Sequence, residues 1–172
     1  MNKEICCDSS VLINFLRIDR LDLFAKCPCP FYITDHVREE ILASFQSQKA
    51  SLETGIKQEI LQVISAQSEE ELALFTTLKK DNQLGSGECA AIAAASHRGY
   101  GLAIDDAQAI KKASGLLLPS SIFRTQDLVL LMIQEGCLAI EEADRLIEMW
   151  ATKHRFKLKI QTFREIYPIL GR

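Results

Sequence analysis

Five carboxylates at four widely spaced stations are the residues whose types invite chemistry: Asp8, Glu40, Glu88 and the adjacent pair Asp105 and Asp106. Asp8 follows the apolar run Ile5-Cys6-Cys7, and Asp105 follows Leu102-Ala103-Ile104. Glu40 lies about a turn into the helix expected after Phe31-Tyr32-Ile33-Thr34, and Glu88 opens another helix after Gly85-Ser86-Gly87. Ends of parallel strands and the first turns of the helices that follow share one edge of an α/β sheet, so acids at these points can converge. Gathered carboxylates without matching lysines or arginines repel unless a cation offsets their charge. A divalent metal is the simplest such cation, and Mg²⁺ and Mn²⁺ favour oxygen ligands of this kind.

Each acid also has an ordinary structural reading. Asp8, Glu88 and Asp106 suit the positive end of a helix dipole. Glu40, beside Glu39, suits a solvated helix face. Their combination, on alternating strands and helices, carries the argument.

The elements that must position them follow from apolar runs and caps. Residues 4–8 read as a buried central strand, the continuous apolar kind that parallel sheets require. Ser9 and Ser10 are expected to cap a helix bearing Val11, Leu12, Phe15 and Leu16, and Arg20 to Phe24 to add a short turn. A second strand spans 31–34, and a helix begins at Thr34 or Asp35 and runs to about Ser47. Gln46 to Ser51 reads as a loop or fraying helix end, and Ile60 to Ile64 as a short edge strand. Ser68 and Glu71 form a capping box for a helix reaching about Lys80. An alanine-rich helix from Ser86 to His97, stopped by Gly99, precedes a strand over Tyr100–Ile104. Asp106 to Ser114 is a further helix, Leu116–Leu118 a last strand before Pro119, and Ile122–Glu135 and Ile140–Lys153 a helical pair joined at Gly136. The predicted architecture is therefore α/β, with a central, mainly parallel sheet of four to five strands and a C-terminal helical pair. One domain over 1–172 is expected, with a core of about 4–118 and an extension of about 120–172.

The chain of 172 residues, 48% hydrophobic and 25% charged, has the make-up of an ordinary globule. Its net charge of −3 gives no overall pull toward nucleic acid or an anionic membrane, so a polyanion must be held by a local basic patch or a metal. No apolar run is long enough to span a bilayer, and Met1-Asn2-Lys3-Glu4 leads into a strand without a signal-peptide core. A cytoplasmic location, with no membrane partner, is expected. The six cysteines lack disulfide-framework spacing, and Cys27-Pro28-Cys29 with His36 lacks a fourth zinc ligand.

Four motifs together resemble the PIN-domain family. Asp8-Ser9-Ser10-Val11-Leu12-Ile13 looks like its opening motif, and Thr34 to Glu40 is similar to its second, with a glutamate inside the helix after strand two. Leu84-Gly85-Ser86-Gly87-Glu88-Cys89-Ala90-Ala91 resembles the third, and Leu102-Ala103-Ile104-Asp105-Asp106 the fourth. The likeness covers Ile5 to about Leu118 and includes the order of the motifs. It implies the family's three-layer α/β/α fold and a metal-dependent ribonuclease, many relatives being toxins of prokaryotic toxin–antitoxin pairs. It also implies Mg²⁺ or Mn²⁺ held by Asp8, Glu40, Glu88 and one or both of Asp105 and Asp106. Ser10 would hold the first acid or a water, and cleavage would leave a 5′-phosphate and a 3′-hydroxyl. RNA is the expected substrate, and a protein antitoxin is the further partner it brings into view. The alternatives are a non-catalytic module that binds nucleic acid or protein, and a structure-specific DNA nuclease on the same fold.

Gly85-Ser86-Gly87-Glu88-Cys89-Ala90 also matches a dinucleotide-binding pattern, but Lys79 to Gln83 before it is a charged helix end rather than a buried strand. No dinucleotide is expected. Lys153, His154, Arg155, Lys157 and Lys159, with Phe156 interleaved, form the densest basic stretch, and Lys111, Lys112 and Arg124 lie nearer the acidic edge. They offer phosphate contacts and, through Phe156, base stacking, or else a solvated helix end and edge strand. Leu128, Val129, Leu131, Met132 and Ile133 carry more apolar surface than one stripe needs, enough for core packing or a homodimer face.

Overall fold

Ile5, Cys6 and Cys7, all fully buried, form the first strand and sit at the middle of the sheet in the computed structural model, which describes residues 3–167. The ends of the expected domain, residues 1–2 and 168–172, lie outside the described residues. The strands are β1 (Ile5–Cys7), β2 (Phe31–Thr34), β3 (Gln62–Ile64), β4 (Gly101–Ala103) and β5 (Ile122–Phe123). They pair in the order β3-β2-β1-β4-β5, and every pairing is parallel. Register brings Ile5 beside both Phe31 and Gly101, so strand ends on one edge are level across the centre.

Between them run α1 (Ser9–Arg17), α2 (Asp22–Lys26), α3 (Asp35–Ser44), α4 (Lys49–Lys57), α5 (Glu69–Lys80), α6 (Ser86–Arg98) and α7 (Ala107–Ala113). After β5 come α8 (Thr125–Gln134) and α9 (Ile140–Lys153). Helices cover both faces of the sheet, giving the three-layer α/β/α fold. From β1 the chain moves outward through β2 to β3, then returns to β4 on the other side. The crevice between the carboxyl ends of β1 and β4 is therefore a topological switch point, the place where such sheets bind ligands.

The C-terminal helices share the core. Trp150 of α9 is fully buried, meets Phe15 of α1 edge-on at 5.5 Å, and donates its Nε1–H to the Asn14 carbonyl at 2.8 Å. Leu128, Val129, Met132 and Ile133 are buried within the chain and Leu131 is half-buried. Among the described residues no helix is long and apolar enough to cross a membrane.

Several local expectations change. Leu116–Leu118 is not the last strand: the Leu116 and Leu117 N–H groups both bond to the Ala113 carbonyl, continuing the turn that ends α7. Strand β5 comes after a 3-10 turn at Pro119–Ser121, so the sheet-bearing core extends past 118 and α8 starts at Thr125 rather than Ile122. A three-residue apolar run has no period by which to tell strand from turn. Helix α4 lies where no helix was expected, because only Leu52 and Gly55 of it are buried and its apolar stripe is thin. Gly55 lets the helix pack closely there, since a Cβ would stand 2.2 Å from Leu21 Cδ2 and force that side chain to shift. Asp8, not Ser9 or Ser10, is the N-cap of α1. The segment after α9 that carries Lys157 and Lys159 has no strand.

Candidate metal centre

Strand β1 ends where its ladder with β4 ends, the Asp8 N–H bonding to the Ala103 carbonyl at 2.8 Å. Asp8 is 1% exposed. Its Oδ2 accepts from the Ser10 N–H at 3.0 Å and the Ser10 hydroxyl at 2.6 Å, while Oδ1 is buried without a partner. Burial pushes the Asp8 carboxyl above its ordinary range, the Ser10 bonds oppose that, and the Glu40 charge adds to it. An ionised carboxylate with one orphaned oxygen is costly in a protein interior and calls for a cation.

Glu40 and Glu88 stand at the seam between α3 and α6. The Ser9 hydroxyl donates to Glu40 Oε1 at 3.0 Å, so the serine beside the first acid steadies the second. A Cβ on Gly87 would lie 2.4 Å from Glu40 Oε2, so only glycine at that place lets the carboxylate lie against the start of α6. Glu88 Oε2 accepts from the Gly85 N–H at 2.8 Å, folding the side chain over its own helix start. Burial raises its pKa, the Gly85 bond lowers it, and the charges of Asp8, Asp106 and Glu40 each raise it further. Those mutual effects bring four stations of the sequence into one electrostatic neighbourhood.

The two adjacent aspartates have different surroundings. Asp105 is half-buried and held from several sides. Thr125 donates its N–H to Oδ1 at 2.9 Å and its hydroxyl to Oδ2 at 2.6 Å, and Asn14 Nδ2 lies 3.1 Å from Oδ2. Ser10 Oγ accepts from the Asp105 N–H at 3.0 Å, which makes Ser10 a bridge between the first and fourth stations. Burial raises the Asp105 pKa, the Thr125 bonds and Arg124 lower it, and Asp127 raises it. Asp106 is exposed and caps α7, its Oδ1 accepting from the Gln108 and Ala109 N–H groups at 2.9 Å each. Its charge raises the Glu88 pKa.

Each carboxylate thus has its own donor. Among the described residues no three His, Cys, Asp or Glu side chains are drawn close enough to hold a metal together. The donor set nonetheless fits a hard divalent cation: all oxygens, mutually repelling, and led by the orphaned Asp8 Oδ1.

Asn14 and Thr125 shape this site without having been singled out by sequence, and Ser9 and Gly87, expected only as a helix cap and a motif glycine, touch its second acid directly. Asn14 carried a signal, a polar residue four positions after Ser10 on an otherwise apolar helix face, and it is 4% exposed. Thr125 carried none, because its role depends on β5 lying beside β4.

A cleft of about 180 Å³ starts at Asp105 and is lined by Arg124, Phe156, Lys157 and Lys159. Phe156 turns its edge to Trp150, with ring centroids 5.7 Å apart, so it anchors this segment to the core. Lys111 and Lys112 border a separate hollow with Gln83 and Gln108. The helix that begins at Ser86 is preceded by a bend after α5, not by a strand, so the glycine-rich step lacks the setting of a dinucleotide fingerprint. Cys27 and Cys29 Sγ atoms are 3.3 Å apart, while His36 sits against Asp35 and Phe75.

Fold and site define a three-layer α/β/α domain with an acidic centre at the switch point of an all-parallel sheet. A family model described as a PIN domain matches residues 4–171, and the chain belongs to that family. The match runs through α8 and α9, past the stretch that carries the four motifs. PIN domains are generally nucleases, hydrolases that typically use divalent metals. A search of curated proteins finds no match.

Proposed function

We propose that this chain is a Mg²⁺- or Mn²⁺-dependent endoribonuclease acting on single-stranded RNA. The observation that carries the reading is the buried, partnerless Asp8 Oδ1 inside a field shared by Glu40, Glu88 and Asp106. Asp8, Glu88 and one or both of Asp105 and Asp106 would hold the metal, with Glu40 completing the set. A bound divalent cation supplies Lewis acidity and a water acidic enough to attack a phosphodiester at neutral pH. Ser10 fixes Asp8 and the Asp105 backbone relative to each other. Thr125 and Asn14 keep Asp105 at the mouth of the basic cleft, where Arg124, Lys157 and Lys159 can take backbone phosphates. That cleft supports a polyanionic substrate despite the net charge of −3. The physiological role the reading implies is that of a toxin restrained by a protein antitoxin.

Asp8→Asn and Glu88→Gln test it on the full chain with single-stranded RNA in millimolar Mn²⁺. Each substitution is expected to lower the cleavage rate at least a hundredfold, the order seen when one charge-stabilising group is removed from a site. Growth arrest on expression is expected to disappear with the same substitutions. RNA cleavage that survives both, or that proceeds unchanged in chelator, overturns the metal mechanism. Cleavage of DNA but not RNA makes the chain a DNA nuclease instead.

A further inference from the structure

Following α3 back one turn from Glu40 reaches His36, and following α6 inward from Glu88 reaches Ala90 and Ala93. Between these points lies a cavity of about 250 Å³, bounded by Asp35, His36, Ser65, Phe75, Ala90 and Ala93. It sits just below the roughly 300–1,000 Å³ of sites for drug-sized ligands, a size suited to one flat ring system. It is formed by the same two helices that carry Glu40 and Glu88, and one helical turn is only about 5.4 Å. An occupant would therefore be a near neighbour of the acidic centre.

The lining has two characters. His36 and Phe75 meet with centroids 4.9 Å apart and planes tilted by 46°, forming an aromatic corner. Ala90 and Ala93 give the opposite wall a flat, small-residue surface, both being buried. At the rim, His36 Nδ1 lies 2.8 Å from Asp35 Oδ1. With Nδ1–H donated to that carboxylate, Nε2 is left as an acceptor. Glu71, also on the wall, is engaged by Arg98 and does not compete for a ligand. Asp35 Oδ1 already takes the His36 N–H and ring, and Ser65 bonds to the same carboxylate, so what is left for an occupant is acceptors: the remaining Asp35 lone pairs and His36 Nε2.

We infer that this cavity is a nucleobase pocket, which takes the base of a nucleotide next to the scissile phosphate and gives the enzyme a base preference. The inference rests on the ribonuclease reading for its substrate. Single-stranded RNA is read by splaying bases out, stacking them on aromatic side chains and bonding their edges. The acceptor-rich rim selects a base with an exocyclic amino group: adenine, cytosine or guanine. Uracil carries one ring N–H between two carbonyl oxygens and no amino group, so it offers this rim fewer donors and is disfavoured.

Two measurements on the full chain test this. In the first, amide resonances are followed while AMP, GMP, CMP and UMP are added separately. Saturable shifts at His36, Ser65, Ala90 and Ala93 are expected, at least fivefold tighter for one amino-bearing nucleotide than for UMP. Phe75→Ala should weaken that nucleotide about tenfold or more, the scale of losing one stacking partner. His36→Ala, at a half-exposed position, repeats the test without opening the core. Shifts confined to the basic cleft, or equal for all four nucleotides, overturn the pocket. In the second, cleavage sites are mapped on random-sequence RNA: a preference for amino-bearing bases at one position beside the cut is expected, flattened by both substitutions. A preference untouched by both overturns the pocket while leaving the ribonuclease intact. A chain that cuts no RNA refutes the ribonuclease, and the nucleotide titration still decides the pocket.

Discussion

A carboxylate buried with one bonded and one bare oxygen makes Asp8 the residue on which the rest of the site turns. Asp8→Asn should leave metal-free folding intact, because an amide can still accept from Ser10 and the desolvated charge is gone. It should abolish the rise in melting temperature on adding Mn²⁺, which for a chain of this size is about 5–10 °C at a hundredfold excess over Kd. A thermal melt with and without Mn²⁺ reads both outcomes, and a variant that keeps the full rise would remove Asp8 from the ligand set. Gly87→Ala tests the second acid without altering any charge. The added Cβ, 2.4 Å from Glu40 Oε2, must push that carboxylate aside. At least a tenfold loss of Mn²⁺ affinity is expected, with an unchanged circular dichroism spectrum.

Helices outside the acidic edge secure it through a few specific ties. Trp150 of α9 packs on Phe15 and bonds to the carbonyl of Asn14, whose side chain reaches Asp105. Trp150→Ala should cost about 3–5 kcal/mol in urea unfolding, the range for emptying a large aromatic site. A loss below 1 kcal/mol would mean that α9 is not part of the same cooperative core. A second tie runs through Arg20, which bonds Asp22 and Glu142 and so links the start of α2 to α9. Hydrogen bonding to Arg20 lowers the Asp22 pKa to about 2. A carboxyl depressed on folding stabilises above its unfolded pKa and loses that contribution as pH falls through the folded value. Asp22→Asn should therefore cost stability near neutral pH, with the difference shrinking from about pH 4 toward pH 2. The side chain is 45% exposed, so solvent screening holds the effect below about 1 kcal/mol.

At the scale of the whole molecule, charge is divided along the working edge of the sheet. The acids collect over β1 and β4, and Arg124, Lys157 and Lys159 border the cleft that begins beside them. A net charge of −3 conceals that local positive surface. Binding of single-stranded RNA by the Asp8→Asn chain should weaken with salt, with a log–log slope of about −2 for three phosphate contacts. Lys157→Glu with Lys159→Glu should flatten the slope and lower affinity at least tenfold in a filter-binding or anisotropy titration. An unchanged slope would place the RNA elsewhere. The helical pair leaves little apolar surface for a second copy on the side chains expected to supply it, since four of the five are buried in the chain's own core.

Sequence by itself determined the elements that carry continuous apolar runs or strong caps: β1, β2, β4, the alanine-rich α6 and the capped α5. These signals are local, and they sufficed to put acids at strand ends and helix starts and to suggest the family. It did not fix β5, because two residues of strand leave no readable period, nor α4, whose inward face is nearly empty. Tertiary structure alone decided what surrounds each acid. Thr125 reaches Asp105 only because β5 pairs with β4, and Glu40 meets Gly87 only because α3 packs on α6. The same packing separates Asp105, held beside the basic cleft, from Asp106, turned to cap α7. A sequence names residues that can ionise; their desolvation, their donors and their neighbours' charges exist only once distant segments are brought together.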